Sequence, residues 1–529
     1  MENGKVYLKP NVLVEPLVNH WYAWSYLISP ATAAMYIANS HVKIMQSFAA
    51  MPQIHIIALK NPAMMGGPFI NYDASRVGDI KKLVDRIVKE NAQMLEFAAG
   101  VKALDEILSS EGSGYSLEPL YPKVPEVLRG YVELTYDLNN NPSPRFLEGL
   151  LYKSKYYNPS IQSVDLSLVV KDERSFIFST PRLEAEGHLR LNLPFNHHGY
   201  DELFKMKTEP RPYGYIKEVL GVGDDQDDLF STFFTEEEQP DGSRYDGEGV
   251  RLRYMGHACV LVETSGVSML MDPVVSYKDA LQTSRYTFQD LPETIDYVLI
   301  THNHQDHCMF ETLIQLRHKI RNIVLPRGSG GTLTDPSLKL ILQHIGFPNV
   351  IELDEMETLP VEGGSVTSLP FLGEHADLNV RTKNAFLLEL KGRKIMCAAD
   401  SNNIEPRLYD HIHEQIGDVD VLFVGMECDG APMSWLYGPL ATKPLARKLD
   451  QSRRLDGSNC DRGMDLVNRL KPKQAYVYAM GQEPWLTYLT SIQYTEESRP
   501  IVESNRLVEE CRSRGITAER LFCQKEILL

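Results

Sequence analysis

Four potential metal ligands, His302, His304, Asp306 and His307, crowd into the stretch Thr301-His302-Asn303-His304-Gln305-Asp306-His307. The apolar run at 297–300, Tyr-Val-Leu-Ile, comes directly before it. A strand that ends in such a loop can aim several imidazoles and one carboxylate at a common point. Neutral imidazole and aspartate suit zinc, iron or manganese, so these residue types leave the metal open. The chain has 15 histidines in 529 residues, and chance would rarely place ligand types at this H-x-H-x-D-H spacing.

The elements that must carry this loop lie in the second half. Short apolar runs at 252–254, 259–263, 268–271, 297–300, 323–325 and 350–353 read as strands. Further runs at 365–369, 385–390, 394–398, 421–425 and 474–478 continue the series, with a hairpin expected at Lys391-Gly392. Helical segments at 310–320, 335–345, 460–470 and 500–514 are interleaved, which implies an α/β sandwich. The first half reads as mixed. Ile80, Leu83, Val84, Ile87 and Val88, then Met94, Leu95, Ala98 and Val101, predict a helix over 76–109. Residues 163–180, with Leu166, Leu168 and Val170 alternating before a turn at Asp172-Glu173, predict strands. Between the halves, 221–248 is acidic and turn-rich and is expected to be a linker. Phe233 and Phe234 within it suggest that part docks on a domain. The expected domains are 1–245, a mixed α/β accessory domain, and 249–529, the catalytic one.

Two or three domains suit this length. A formal net charge of −17 argues against nucleic acid as the main partner, since phosphate binding needs a basic face. No run of roughly 18 apolar residues exists to span a membrane. The seven cysteines are scattered through the second half without a C-x-x-C pair, which fits a reducing compartment. The expected location is the cytoplasm.

Set among these strands, the H-x-H-x-D-H loop resembles the metallo-β-lactamase superfamily, over residues 249–529. That resemblance implies an αββα sandwich with a metal site at one edge of the sheets. Met255-Gly256-His257-Ala258-Cys259 is similar to the opening strand of some branches, and Asp272 sits where a structural aspartate holds the ligand loops. Asp400, ending a strand, fits the bridging carboxylate. The later motifs depart from the pattern. Gly373-Glu374-His375 offers a glutamate beside the histidine, and either can face the metal. No histidine follows His413, so the usual late histidine is missing, while Glu427 is another carboxylate at a strand end. Such a ligand set shifts towards oxygen. Zinc hydrolases favour histidine-rich sites, whereas carboxylate-rich dinuclear sites suit iron.

A closer resemblance spans nearly the whole chain. Leu8-Lys9-Pro10-Asn11-Val12, Trp21-Tyr22-Ala23-Trp24, the loop from Asn61-Pro62 to Gly66-Gly67-Pro68, Gly373-Glu374-His375 and Tyr478-Ala479-Met480-Gly481-Gln482-Glu483 together resemble the diiron β-hydroxylases of chloramphenicol and other nonribosomal peptide pathways. This implies two iron ions and O2 as co-substrate. It implies hydroxylation of an amino acid tethered as a thioester to a peptidyl carrier protein through its phosphopantetheine arm, with an external electron donor. Carried over, His302, His304 and Glu374 would hold one iron and Asp306 and His307 the other, with Asp400 bridging and Glu427 completing the second. Glu374 and Asp400 would be the catalytic carboxylates, and a homodimer through the first domain is expected. The alternative is a dinuclear zinc hydrolase acting on a thioester, lactone or phosphodiester. A redox protein handling O2 or NO would usually need a flavin domain, and no flavin or dinucleotide fingerprint is present.

Overall fold

The computed structural model describes the chain except residues 1–3, 170, 172, 241, 243 and 279–282 and the side chain of Ala63. Its second half is built on two seven-stranded sheets. One runs, edge to edge, through Val350–Leu353, Ile320–Pro326, Ile295–Leu299, Ser268–Met271, Cys259–Glu263, Arg251–Gly256 and the C-terminal strand Lys525–Leu528. The other runs through Thr358–Val361, Gly364–Leu369, Ala385–Leu390, Arg393–Cys397, Val421–Gly425, Gln474–Tyr478 and Thr517–Arg520.

The strands read as unbroken apolar runs because both faces of each sheet are buried. Val260 and Val262 meet Phe386 and Leu388 in the layer between the sheets. The alternate residues Cys259 and Leu261 face outwards, into a core shared with Leu313 and Leu316 of the helix Phe310–Leu316. Outside the second sheet, Ala385 and Leu387 pack with Tyr409, Val467 and Leu507 from three helices. The result is the expected αββα sandwich. The hairpin forms where Lys391-Gly392 foretold it, with both residues at positive φ.

The first half forms a four-stranded sheet, Trp21–Tyr22, Val12–Val18, Gln162–Leu168 and Leu189–Leu191, packed with helices. The single helix expected over 76–109 is two helices, Val77–Glu90 and Ala92–Glu111. The break is at buried Asn91, whose side chain bonds the Ile87 carbonyl and Asn19 and so competes with the helical ladder. Of the strands expected over 163–180, only Gln162–Leu168 forms, while Val170 and Asp172 lie outside the described residues. The chain leaves the sheet there because Arg174 turns inwards, to Glu15 and to Glu311. The acidic stretch 221–248 is only partly solvated. Phe230, Phe233 and Phe234 are buried, and Phe234–Thr235 pairs with Lys5–Leu8.

The first half positions the metal loop. Helix Phe310–Leu316 follows that loop, and its buried Glu311 accepts hydrogen bonds from Tyr22 and Tyr277 at 2.8 Å and from Tyr488 at 3.1 Å. Arg174 adds an ion pair at 2.9 Å. Among the described residues, no helix is long and apolar enough to cross a membrane.

Candidate metal centre

The donor residues gather where several strands end on one edge of the sandwich. His302, His304, Asp306 and His307 occupy the loop between Ile295–Leu299 and Phe310–Leu316. Glu374 follows the strand Gly364–Leu369, and Asp400 follows Arg393–Cys397. His257 sits in the tight turn between Arg251–Gly256 and Cys259–Glu263. His257, Asp272, Glu374 and Ala399 all have positive φ, a conformation that non-glycine residues adopt at a cost. Strain of this kind persists where the surroundings over-determine it.

Three overlapping groups of potential metal donors result, linked by shared histidines: His302, His304 and Glu374; His302, His307 and Asp400; and His257, Asp306 and His307. Glu374 lies 2.8 Å from His304 Nδ1 and 3.6 Å from His302 Nε2. Asp400 lies 3.1 Å from His307 Nε2, and Asp306 lies 3.2 Å from His257 Nε2. Glu374 therefore joins a donor group with two loop histidines, and His375 belongs to none of the three groups. His375 instead stacks on His304, with ring centroids 4.6 Å apart. Glu427, expected as a ligand, belongs to none of the three groups among the described residues. Its carboxylate accepts from the Gly430 amide at 2.6 Å and from the Tyr494 hydroxyl at 3.4 Å.

His257 is a potential donor that sequence reasoning did not name as one. The available signal was an imidazole in a glycine turn between two buried strands. Where a late histidine is absent, Ala479 ends the strand Gln474–Tyr478, and its amide donates to the His257 carbonyl at 2.9 Å.

Hydrogen bonds aim the donors. Asp272 accepts from the Thr301 amide at 2.7 Å, from its hydroxyl at 2.6 Å and from His307 Nδ1 at 2.8 Å. That leaves His307 Nε2 facing Asp400. Tyr437 holds His304 Nε2 at 3.0 Å, leaving Nδ1 for Glu374. Burial and the surrounding imidazoles push His302 well below the usual histidine range, so it is neutral and able to ligate. Burial raises the Glu374 carboxyl to about 7, against the pull of His304. Burial likewise raises Glu427 to about 7.

The residues fit a cation. His302 Nε2, His257 Nδ1, Glu374 Oε2 and Asp400 Oδ1 are buried without a hydrogen-bond partner. Orphaned polar atoms are costly unless something binds them, and here they converge. His257, His304, Asp306, Glu374 and Asp400 border a cavity of about 300 Å³ whose other walls include Trp435, Leu436, Leu455, Met480 and Ile492. Met65 and Gly66 of the first half close one side, where Trp435 Nε1 donates to the Gly66 carbonyl at 3.1 Å.

Comparison with known proteins agrees with this architecture. Residues 7–238 match the diiron non-heme beta-hydroxylase N-terminal domain, and residues 251–450 match the beta-lactamase superfamily domain. A relative from Streptomyces venezuelae, 4-amino-L-phenylalanyl-[CmlP-peptidyl-carrier-protein] 3-hydroxylase, is 38% identical over 99% of both chains. The crystal structure of CmlA, a diiron beta-hydroxylase from the same organism, superposes with a TM-score of 0.93 at 38% identity, covering 100% of both chains. Identity of this extent favours the oxygenase over the zinc hydrolase. The chain belongs to the non-haem diiron β-hydroxylase family.

Proposed function

We propose that this protein hydroxylates the β-carbon of an amino acid held as a thioester on a peptidyl carrier protein, using O2 and two irons. The observation that carries the reading is the set of overlapping histidine and carboxylate donor groups at one cavity, in a chain related over its full length to a carrier-protein hydroxylase. His302, His304 and Glu374 would hold one iron, and Asp306 and His307, joined by His257, the other. Asp400, beside His307, would lie between them. When bound, the irons supply O2 activation, and an external donor supplies electrons.

The chain's own residues do the rest. Asp272 keeps the His307 proton on Nδ1, so Nε2 stays a donor to metal. Tyr437 orients His304 in the same way. Trp435, Leu436, Leu455, Met480 and Ile492 form an apolar wall that excludes water and suits an aromatic side chain. Met65 and Gly66 form the other wall of the approach that a phosphopantetheine arm would use. The reading includes a cytoplasmic location, supported by seven buried cysteines without a C-x-x-C pair. It also includes a homodimer through the first domain, where the helix Pro52–Ala58 leaves Ile54 and Ile57 exposed.

Metal analysis with an optical spectrum tests this. Iron with a near-ultraviolet charge-transfer band is expected; zinc with no such band would overturn it. Glu374→Ala should lose iron while His375→Ala retains it, and the reverse would overturn the ligand assignment.

A further inference from the structure

The cavity presents four carboxylates, Asp306, Glu374, Asp400 and Glu427, and not one lysine or arginine among its described lining residues. Three of the four belong to the metal donor groups. Glu427 is left over. Its oxygens take neutral donors, the Gly430 and Asp429 N–H and the Tyr494 O–H, and no cation pairs with it among the described residues. The nearby arginines are engaged elsewhere. Arg454 donates to the carbonyls of Asp429 and Gly430, Arg453 to that of Ala376, and Arg499 faces Asp429. A carboxylate kept at a cavity wall without a counter-ion suits a ligand that brings its own positive charge.

Position narrows the choice of ligand. Glu427 lies two residues beyond the strand Val421–Gly425, the parallel neighbour of Arg393–Cys397, which leads to Asp400. The Gly425 amide donates to the Ala399 carbonyl at 2.9 Å, which ties the two strand ends together. A group gripped by Glu427 is thus held beside the metal donors. In an aminoacyl thioester, the nitrogen and the β-carbon are both bonded to the α-carbon, so fixing the nitrogen here keeps the β-carbon two bonds away, in the same cavity as Asp400. Charge selects the same ligand. A free amino acid carries a carboxylate for which the described lining offers no lysine or arginine, whereas a thioester masks it and leaves only the ammonium.

We propose that Glu427 is the receptor for the α-ammonium of the tethered aminoacyl group, and so a positioning residue for β-hydroxylation and not a metal ligand. The assignment rests on the carrier-protein reading above. The test uses iron-loaded protein without O2 and measures binding of one carrier protein bearing either a phenylalanyl or a 3-phenylpropanoyl thioester, which differ only in the amine. The wild type should prefer the phenylalanyl form by roughly tenfold or more, as for a charge-assisted hydrogen bond. Glu427→Gln should bind both forms alike and keep its iron, and Glu427→Asp should restore part of the preference. A preference that survives in Glu427→Gln, or iron lost from it, overturns the assignment. A wild type that binds neither loaded carrier overturns the carrier-protein reading too, an outcome distinct from loss of the preference alone.

Discussion

Replacing Asp272 with asparagine should remove one metal and spare the other. The carboxylate accepts three hydrogen bonds, at 2.7 Å from the Thr301 amide, 2.6 Å from its hydroxyl and 2.8 Å from His307 Nδ1. Asparagine can keep the first with its oxygen, and the threonine hydroxyl can rotate to accept from the new NH2. His307 cannot adapt without cost. Facing a donor, its Nδ1 must become an acceptor, which puts the proton on Nε2, the atom 3.1 Å from Asp400. A protonated Nε2 cannot ligate. Losing such an outer hydrogen bond typically costs about 10- to 100-fold in metal affinity, or about 1.4–2.7 kcal/mol. His302, His304 and Glu374 form a donor group that does not include His307. Iron content during dialysis against graded chelator should therefore fall in two steps, with the first moved to weaker chelation in Asp272→Asn. Backbone strain does not confuse the result, because the φ of 34° at this position is one that asparagine tolerates. Unchanged iron retention, or equal loss of both irons, would refute the tautomer argument.

Gly373→Ala should cost about 1–3 kcal/mol from its φ of +82°, and more because the new Cβ would lie 2.4 Å from that of Asn402. A lower Tm and reduced iron at the adjacent Glu374 are expected; wild-type values for both would sink the idea. Glu311→Gln breaks the buried pair with Arg174 at the seam between the two halves, for about 3–5 kcal/mol measured by urea unfolding. A loss below about 1 kcal/mol would show that this cluster does not anchor the metal loop's helix. Glu15 is buried, which disfavours its charge, yet Arg182 and Arg174 outweigh that and lower its carboxyl from 4.5 to about 2. Its contribution, of order 3 kcal/mol, is present above pH 4.5 and is lost as pH falls towards 2. Glu15→Gln should flatten the stability profile in that window, and an unchanged acid limb would contradict the linkage.

The metal loop was legible because its signal is local: four ligand types after one apolar strand, at a spacing few other structures need. The sandwich was legible for a related reason, since strands buried on both faces leave apolar runs with clear ends. The choice between Glu374 and His375 was not. Both side chains reach His304, and what brings the Glu374 carboxylate to it is a positive φ that follows Gly373, a tertiary fact. His257 was not named as a potential donor because it lies far from the loop in sequence. The first half was least legible. Its main tie to the site, Tyr22 to Glu311, spans 289 residues, and no periodicity encodes such a contact. The acidic stretch misled through its charges, while Phe230, Phe233 and Phe234 decided its placement.

The central claim is that this cavity inserts oxygen into a tethered amino acid. Its most direct test is to incubate iron-loaded, chemically reduced protein with an aminoacyl carrier protein under isotopically labelled O2 and to weigh the intact carrier. The account predicts one labelled oxygen atom added to the aminoacyl group, on the β-carbon, with the thioester intact. A cleaved thioester with no label incorporated would contradict it.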